Sequence, residues 1–273
     1  MVKNQKIVLV TGAASGIGLA ITKYLALKGM HVIASDINKE QLNNLLNLDN
    51  IEPVYLDVTK IDTMQNVVSK IEERHKRLDG LVNNAGIFVG GPLVEVPEKD
   101  FEKIININLF GPYKVTKTFF PLLLKSKGRI INIGSESGRI SFPMNGPYSM
   151  SKYALEAFSD ALRRELMFLD MKVIHLQVGS MQTALLKSTY NQYTKNMDGE
   201  KTMFKKLYNK VIKTVEKEKV SSAKPIYVAK VVYKALSARN PKARVKIKNN
   251  KMRRFLEFLP YQLVDFGVKR FVK

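Results

Sequence analysis

Lys6-Ile-Val-Leu-Val-Thr11-Gly12-Ala-Ala-Ser15-Gly16-Ile17-Gly18-Leu-Ala-Ile21 decides how this chain is read. A short apolar run that stops at a glycine has the pattern of a strand buried on both faces. Past the glycines, Ile17, Ala20, Ile21, Tyr24 and Leu25 share one helical face, and Gly29 closes a helix predicted over residues 16–28. The same alternation continues outward. A second apolar run, His31 to Ala34, ends in Ser35-Asp36. Strands are predicted near 52–56, 79–83, 129–134 and 172–178, and helices near 60–76, 101–125 and 148–168. Strands separated by helices of ten or more residues imply an α/β fold, a single doubly wound parallel sheet covered on both faces. No internal repeat or low-complexity linker interrupts it.

The 273 residues are 45% apolar, enough for a sizeable core and too many for a disordered chain. Cysteine is absent, which excludes disulfides, thiolate metal sites and a cysteine nucleophile. His31, His75 and His175 are scattered along the sequence, so no metal site is expected. No run of about 18 apolar residues suggests a spanning helix. Met1 to Lys6 leads into a strand with no small-residue cleavage pattern, so a secretory signal is not expected and a cytoplasmic location is. The net charge of +21 points at first to nucleic acid or an anionic membrane. Its distribution matters more. Up to Thr183 there are 22 Lys and Arg against 18 Asp and Glu; from residue 184 onward the counts are 23 and 6. The basicity belongs to the last third.

A glycine-rich turn between a strand and a helix lets a pyrophosphate approach the backbone at a helix N-terminus. The spacing here, Thr11-Gly12-xxx-Gly16-x-Gly18, is only modestly specific, because such turns also occur for packing. Asp36 adds to it. It closes the second strand, where a carboxylate can bond the adenosine ribose hydroxyls and repel a 2′-phosphate. NAD is therefore expected over NADP. Asp36 could alternatively cap only the next helix. Asp57-Val58, past the third strand, is placed to touch the adenine ring.

Tyr148 and Lys152, four residues apart on a predicted helix, share a face. A phenol with pKa near 10 is a poor base at neutral pH, and a neighbouring cation is expected to lower that value. Taken with Asn83-Asn84-Ala85-Gly86, Asn108 and Ser135, these motifs occur in the order and spacing of the short-chain dehydrogenase/reductase family, which this chain resembles over residues 5–183. The resemblance implies a Rossmann fold and an enzyme transferring hydride between NAD and an alcohol or carbonyl. Tyr148 would exchange the proton, Lys152 would lower its pKa and bind the nicotinamide ribose, and Ser135 would hold the substrate oxygen. Asn108 would hold a water on a proton path. Gly12, Ser15, Gly16, Ile17, Gly18, Asp36, Asp57, Val58, Asn84, Ala85, Gly86 and Thr183 would line the cofactor site, joined by Tyr148 and Lys152. One departure is Val178-Gly179, where the family has Pro-Gly; it questions how firmly the following loop is held. Pairing through the two long helices would give a homodimer or homotetramer.

By the same resemblance, residues 184–224 of a domain spanning 1–250 form a substrate lid. Its Leu185, Leu186, Tyr190, Tyr193, Met203 and Phe204 either line a pocket for a bulky apolar substrate or pack the lid on the sheet. Residues 225–238 read as an amphipathic helix, and 242–248 as a strand with one apolar and one basic face. In the tail, 251–273, six Lys or Arg mix with large apolar residues, the pattern of a segment lying on an anionic membrane or of a helix packed on the domain. This end looks like the hydroxysteroid and retinol dehydrogenase branch, implying a lipophilic alcohol or ketone as substrate, such as a steroid, retinoid or long-chain alcohol. A rival reading makes the basic third a nucleic-acid-binding or scaffolding surface on the same fold, but no nucleic-acid module is recognisable there.

Overall fold

A computed structural model describes residues 5–183, 185, 186, 189 and 202–272. Seven strands form one parallel sheet in the order β3-β2-β1-β4-β5-β6-β7: β1 Ile7–Thr11, β2 His31–Asp36, β3 Ile51–Tyr55, β4 Gly80–Asn83, β5 Arg129–Ser135, β6 Val173–Val178 and β7 Arg244–Ile247. The order reverses between β1 and β4, and there the carboxyl ends of the strands leave a crevice for a ligand.

The named helices are α1 Gly16–Leu27, α2 Lys39–Asn43, α3 Ile61–Arg74, α4 Glu98–Ile105, α5 Gly111–Ser126, α6 Gly146–Leu166, α7 Lys205–Ser221, α8 Ile226–Ser237, α9 Lys251–Leu256 and α10 Tyr261–Val272. Alternate residues of each buried strand serve opposite faces, as the period of two requires. Val8 and Val10 of β1 pack with Ile21 and Leu25 of α1 and with Val228, Val232 and Leu236 of α8. Ile7 and Leu9 pack on the other face with Met64, Val67 and Ile71 of α3 and with Val115, Phe119 and Leu122 of α5.

One element differs from the sequence reading, and a second gains partners that the sequence does not announce. The long helix expected over 101–125 is broken by a π-helical turn, Asn106–Phe110, between α4 and α5. The widened turn carries Asn108 inward and leaves Asn106 exposed. In β7 the basic face is not simply solvated. Arg244 pairs with Glu156 at 3.2 Å and Asp160 at 3.0 Å, and Lys246 with Glu257 at 2.6 Å.

Candidate active site

The glycine turn rises from the end of β1 into α1. Gly12 and Gly16 adopt φ of +63° and +53°, the left-handed region that costs an ordinary side chain strain. Asn84, at the end of β4, donates from Nδ2 to the carbonyls of Thr11 and Gly12 at 2.9 and 3.0 Å. Thr11 Oγ1 accepts the N–H groups of Asn84 and Ala85 in return. Asp36 fixes the turn from β2: one carboxylate oxygen accepts the Ala14 N–H at 3.0 Å, and the other accepts from Asn38. Asp36 thus holds the loop; the cap of α2 is Asn38, whose side chain accepts from Gln41.

A cleft of about 880 Å³ opens above these strand ends. Gly12, Ser15, Gly16, Ile17, Asp36, Asp57, Val58, Asn84, Ala85, Gly86, Ser135, Tyr148, Lys152 and Thr183 all border it. Two expected residues do not. Gly18 lies behind the loop, where a Cβ would stand 1.9 Å from the Gly12 carbonyl oxygen, so it permits close packing of helix on loop and makes no wall of the cleft. Asn108 is buried below the wall, its amide bonded to both backbone groups of Ile87 at 2.9 Å and to Ser151 at 3.1 Å. In this structure Asn108 positions the segment after Gly86.

Around the helix α6, Tyr148, Ser135 and Lys152 meet at one wall. The Ser135 hydroxyl stands near enough to the Tyr148 phenol to favour its ionised form, and the Lys152 ammonium lies 5.7 Å from the centroid of the Tyr148 ring. Lys152 donates to the Ile133 carbonyl at 3.1 Å, and Ser135 accepts the Ser137 N–H at the same distance. The expected lowering of the tyrosine pKa is not found. Burial pushes the Tyr148 phenol up to about 12, outweighing the Ser135 hydroxyl, with the Glu136 carboxylate adding to the rise. Burial likewise brings the Lys152 ammonium down to about 8. At this separation the desolvation of each group exceeds their mutual influence.

The loop after β6 is held without proline. The Gly179 N–H donates to the Ile247 carbonyl of β7 at 2.9 Å, and there is no room for a Cβ at Gly179 beside Lys248. Thr183 reaches over Gly16, with its hydroxyl bonded locally to Met181 and Leu186.

The far side of the cleft is apolar. Phe88, Leu185, Leu186, Leu207, Val211 and Val215 border it, together with Phe142. Met203 and Phe204 do not; Met203 is 79% exposed. Tyr190 and Tyr193 lie outside the described residues. The tail supplies a further wall that sequence reasoning missed: Met252, Arg253 and Leu256 of α9, and Val264, Gly267 and Val268 of α10. Arg253 fastens it. Its guanidinium bonds Glu136, next to Ser135, at 2.5 Å, and also Glu218 of α7. Glu136 additionally accepts the Asn250 N–H at 2.9 Å. Burial alone would lower the Arg253 pKa, but the two carboxylates outweigh it and raise it. These partners stand 117 and 35 residues away in sequence, so no local pattern announces them.

Comparison with known proteins agrees with this architecture. The profile of the short chain dehydrogenase family matches residues 6–194. Retinol dehydrogenase 7 of Rattus norvegicus is 37% identical over 230 residues, covering 78% of this chain and 71% of the rat protein. Retinol dehydrogenase 16 of Mus musculus is also 37% identical, over 68% of this chain, which spans 60% of the mouse protein's length. The uncharacterized oxidoreductase YusZ of Bacillus subtilis is 35% identical over 84% of both chains. Among solved structures, a short-chain dehydrogenase from Streptomyces avermitilis superposes with a TM-score of 0.78 at 26% identity, covering 98% of this chain and 95% of that one. One from Burkholderia phymatum in complex with NAD has the same fold, with a TM-score of 0.80 at 19% identity over 97% and 95% of the two chains.

Proposed function

Because the chain belongs to the short-chain dehydrogenase family of oxidoreductases, we propose that it interconverts a lipophilic alcohol and its carbonyl with NAD. The observation that carries this reading is the convergence of Tyr148, Ser135 and Lys152 on one wall of a cleft whose other end is the Gly12–Gly16 turn and Asp36. The turn fits a dinucleotide. Gly12 and Gly16 remove the side chains that would block a pyrophosphate, and the first turn of α1 carries no acidic residue to repel one. The Asp36 carboxylate at the cleft is suited to two ribose hydroxyls and unsuited to a 2′-phosphate, which supports NAD over NADP. A bound nicotinamide nucleotide would supply or accept the hydride.

The chain's own residues handle the oxygen and its proton. Ser135 donates a hydrogen bond to the substrate oxygen and stabilises charge that develops on it. Tyr148, protonated across the physiological range, gives its proton to that oxygen during carbonyl reduction and recovers it during alcohol oxidation. Lys152, cationic below about pH 8, stabilises the phenolate whenever it forms. Asn108 acts through Ile87 and Ser151, as a positioning residue. The apolar wall from Phe88, Leu207, Val211 and Leu256 favours a bulky hydrocarbon body over a sugar or an acid. Of the lid expected over 184–224, which lies partly outside the described residues, α7 lends Leu207, Val211 and Val215 to this wall, and an interface of α5 and α6 would pair two copies.

Purified protein should reduce NAD with a steroid, retinoid or long-chain alcohol, and NADP less well. Tyr148→Phe should lower turnover by at least about 100-fold and leave nucleotide binding intact. Wild-type rates in that variant would overturn the assignment.

A further inference from the structure

Two of the three histidines, 44 positions apart in sequence, meet in the fold. His31 opens β2, Glu52 is the second residue of β3, and His75 caps the C-terminus of α3. The Glu52 Oε2 atom lies 3.2 Å from His31 Nε2 and 3.4 Å from His75 Nε2. All three donor atoms fall within 4.8 Å of one another. Tetrahedral ligands at zinc bond lengths, about 2.0–2.1 Å, stand roughly 3.3 Å apart, so both measured separations match an edge of such a site. The other Glu52 oxygen is already taken by Arg74 at 2.9 Å, which aims Oε2 between the two rings and supplies the hydrogen bond that ligating carboxylates usually receive.

We propose that His31, Glu52 and His75 form a binding site for a divalent transition-metal ion of the zinc class. Two imidazoles and one carboxylate suit zinc and disfavour calcium or magnesium, which prefer all-oxygen shells. The three ligands come from three separate elements, so a bound ion ties β2 and β3 to the end of α3. Each side chain keeps about a fifth of its surface exposed, at 22%, 19% and 19%, which leaves an entry path and room for a water as fourth ligand. The site lies at the amino ends of β2 and β3, whereas the cleft opens at their carboxyl ends, beyond Asp36. Its role is structural, and hydride transfer proceeds without it.

Tag-free full-length protein, stripped with a chelator, should bind one equivalent of Zn²⁺ in calorimetry and unfold at a higher temperature in its presence. Co²⁺ in its place should give visible bands of a tetrahedral site. Glu52→Gln and His75→Gln should each weaken Zn²⁺ binding by roughly 100-fold or more, while turnover of the metal-free protein stays unchanged. His75→Cys, which keeps a ligand, should restore much of the affinity and guards against reading a misfolded variant as a lost site. Absence of stoichiometric binding in the wild type would overturn the proposal. So would unaltered affinity in folded Glu52→Gln and His75→Gln proteins.

Discussion

At the residue scale, Tyr148 and Lys152 show what a sequence motif conveys and what it conceals. Their spacing of four was enough to place both on one face of α6. The sign of the tyrosine shift was not legible, because it depends on how deeply the strand ends bury both groups. Lys152 accordingly works against stability. Its folded pKa of about 8 lies below the free value of 10.5, so the unfolded chain holds the proton more tightly. The unfavourable contribution is complete below about pH 8 and fades as pH rises toward 10.5. Its size is roughly 3 kcal/mol, reduced by about 1 for the hydrogen bond to Ile133. Lys152→Met should therefore be inactive and yet more stable than wild type by about 2 kcal/mol at pH 7. Urea unfolding at pH 7 and pH 10 checks this: the difference should shrink at the higher pH. A variant less stable than wild type at pH 7 would contradict it.

At the scale of elements, the strands and long helices of residues 5–183 were readable because their hydrophobic periods are local. The π-turn at Asn106–Phe110 was not, since one extra residue in a helical turn leaves the apolar spacing nearly unchanged. Nor was the placement of α9 and α10 against the cleft. Their mixture of basic and apolar residues suits a membrane surface and a packed helix equally, and the deciding contacts are the long-range pairs of Arg253 with Glu136 and Glu218. Removing the guanidinium leaves Glu136, only 5% exposed, still accepting the Asn250 N–H but without its cation. Arg253→Ala should then cost roughly 2–3 kcal/mol in urea unfolding, below the range of about 3–5 for a fully buried pair because Arg253 itself keeps 24% exposure. Loosening the tail also removes Leu256 and Val264 from the pocket. KM for a long-chain alcohol should rise several-fold more than KM for a short one, and equal changes in both would separate the tail from substrate recognition.

Across the whole molecule, the charge of +21 resolves into two populations. Arg244, Lys246 and Arg253 are consumed in ion pairs that fasten β7 and α9, so part of the basic third is internal scaffolding. Lys251 and Arg254 remain exposed on α9, and Lys269 and Arg270 lie in the last turn of α10. On the surface of the same segment, away from the cleft, stand Phe255, Phe258, Tyr261, Leu263 and Phe266, each more than half exposed. No helix among the described residues is long and apolar enough to cross a membrane. An aromatic and basic face on the outside of a cleft wall suits an anionic bilayer surface, from which a lipophilic alcohol would have a short path inward. Deleting the tail is a poor test, because it would open the cleft as well. Phe255→Ser, Phe258→Ser and Phe266→Ser combined leave Arg253, Leu256 and Val264 in place. The wild type should sediment with phosphatidylserine vesicles at low salt and less so at 0.5 M, where screening shortens the reach of Lys and Arg to about 4 Å. The triple variant should stay in the supernatant while keeping its turnover of a water-soluble alcohol. Equal sedimentation of the two proteins would separate the aromatic face from membrane binding, and a wild type that stays in the supernatant would exclude the bilayer.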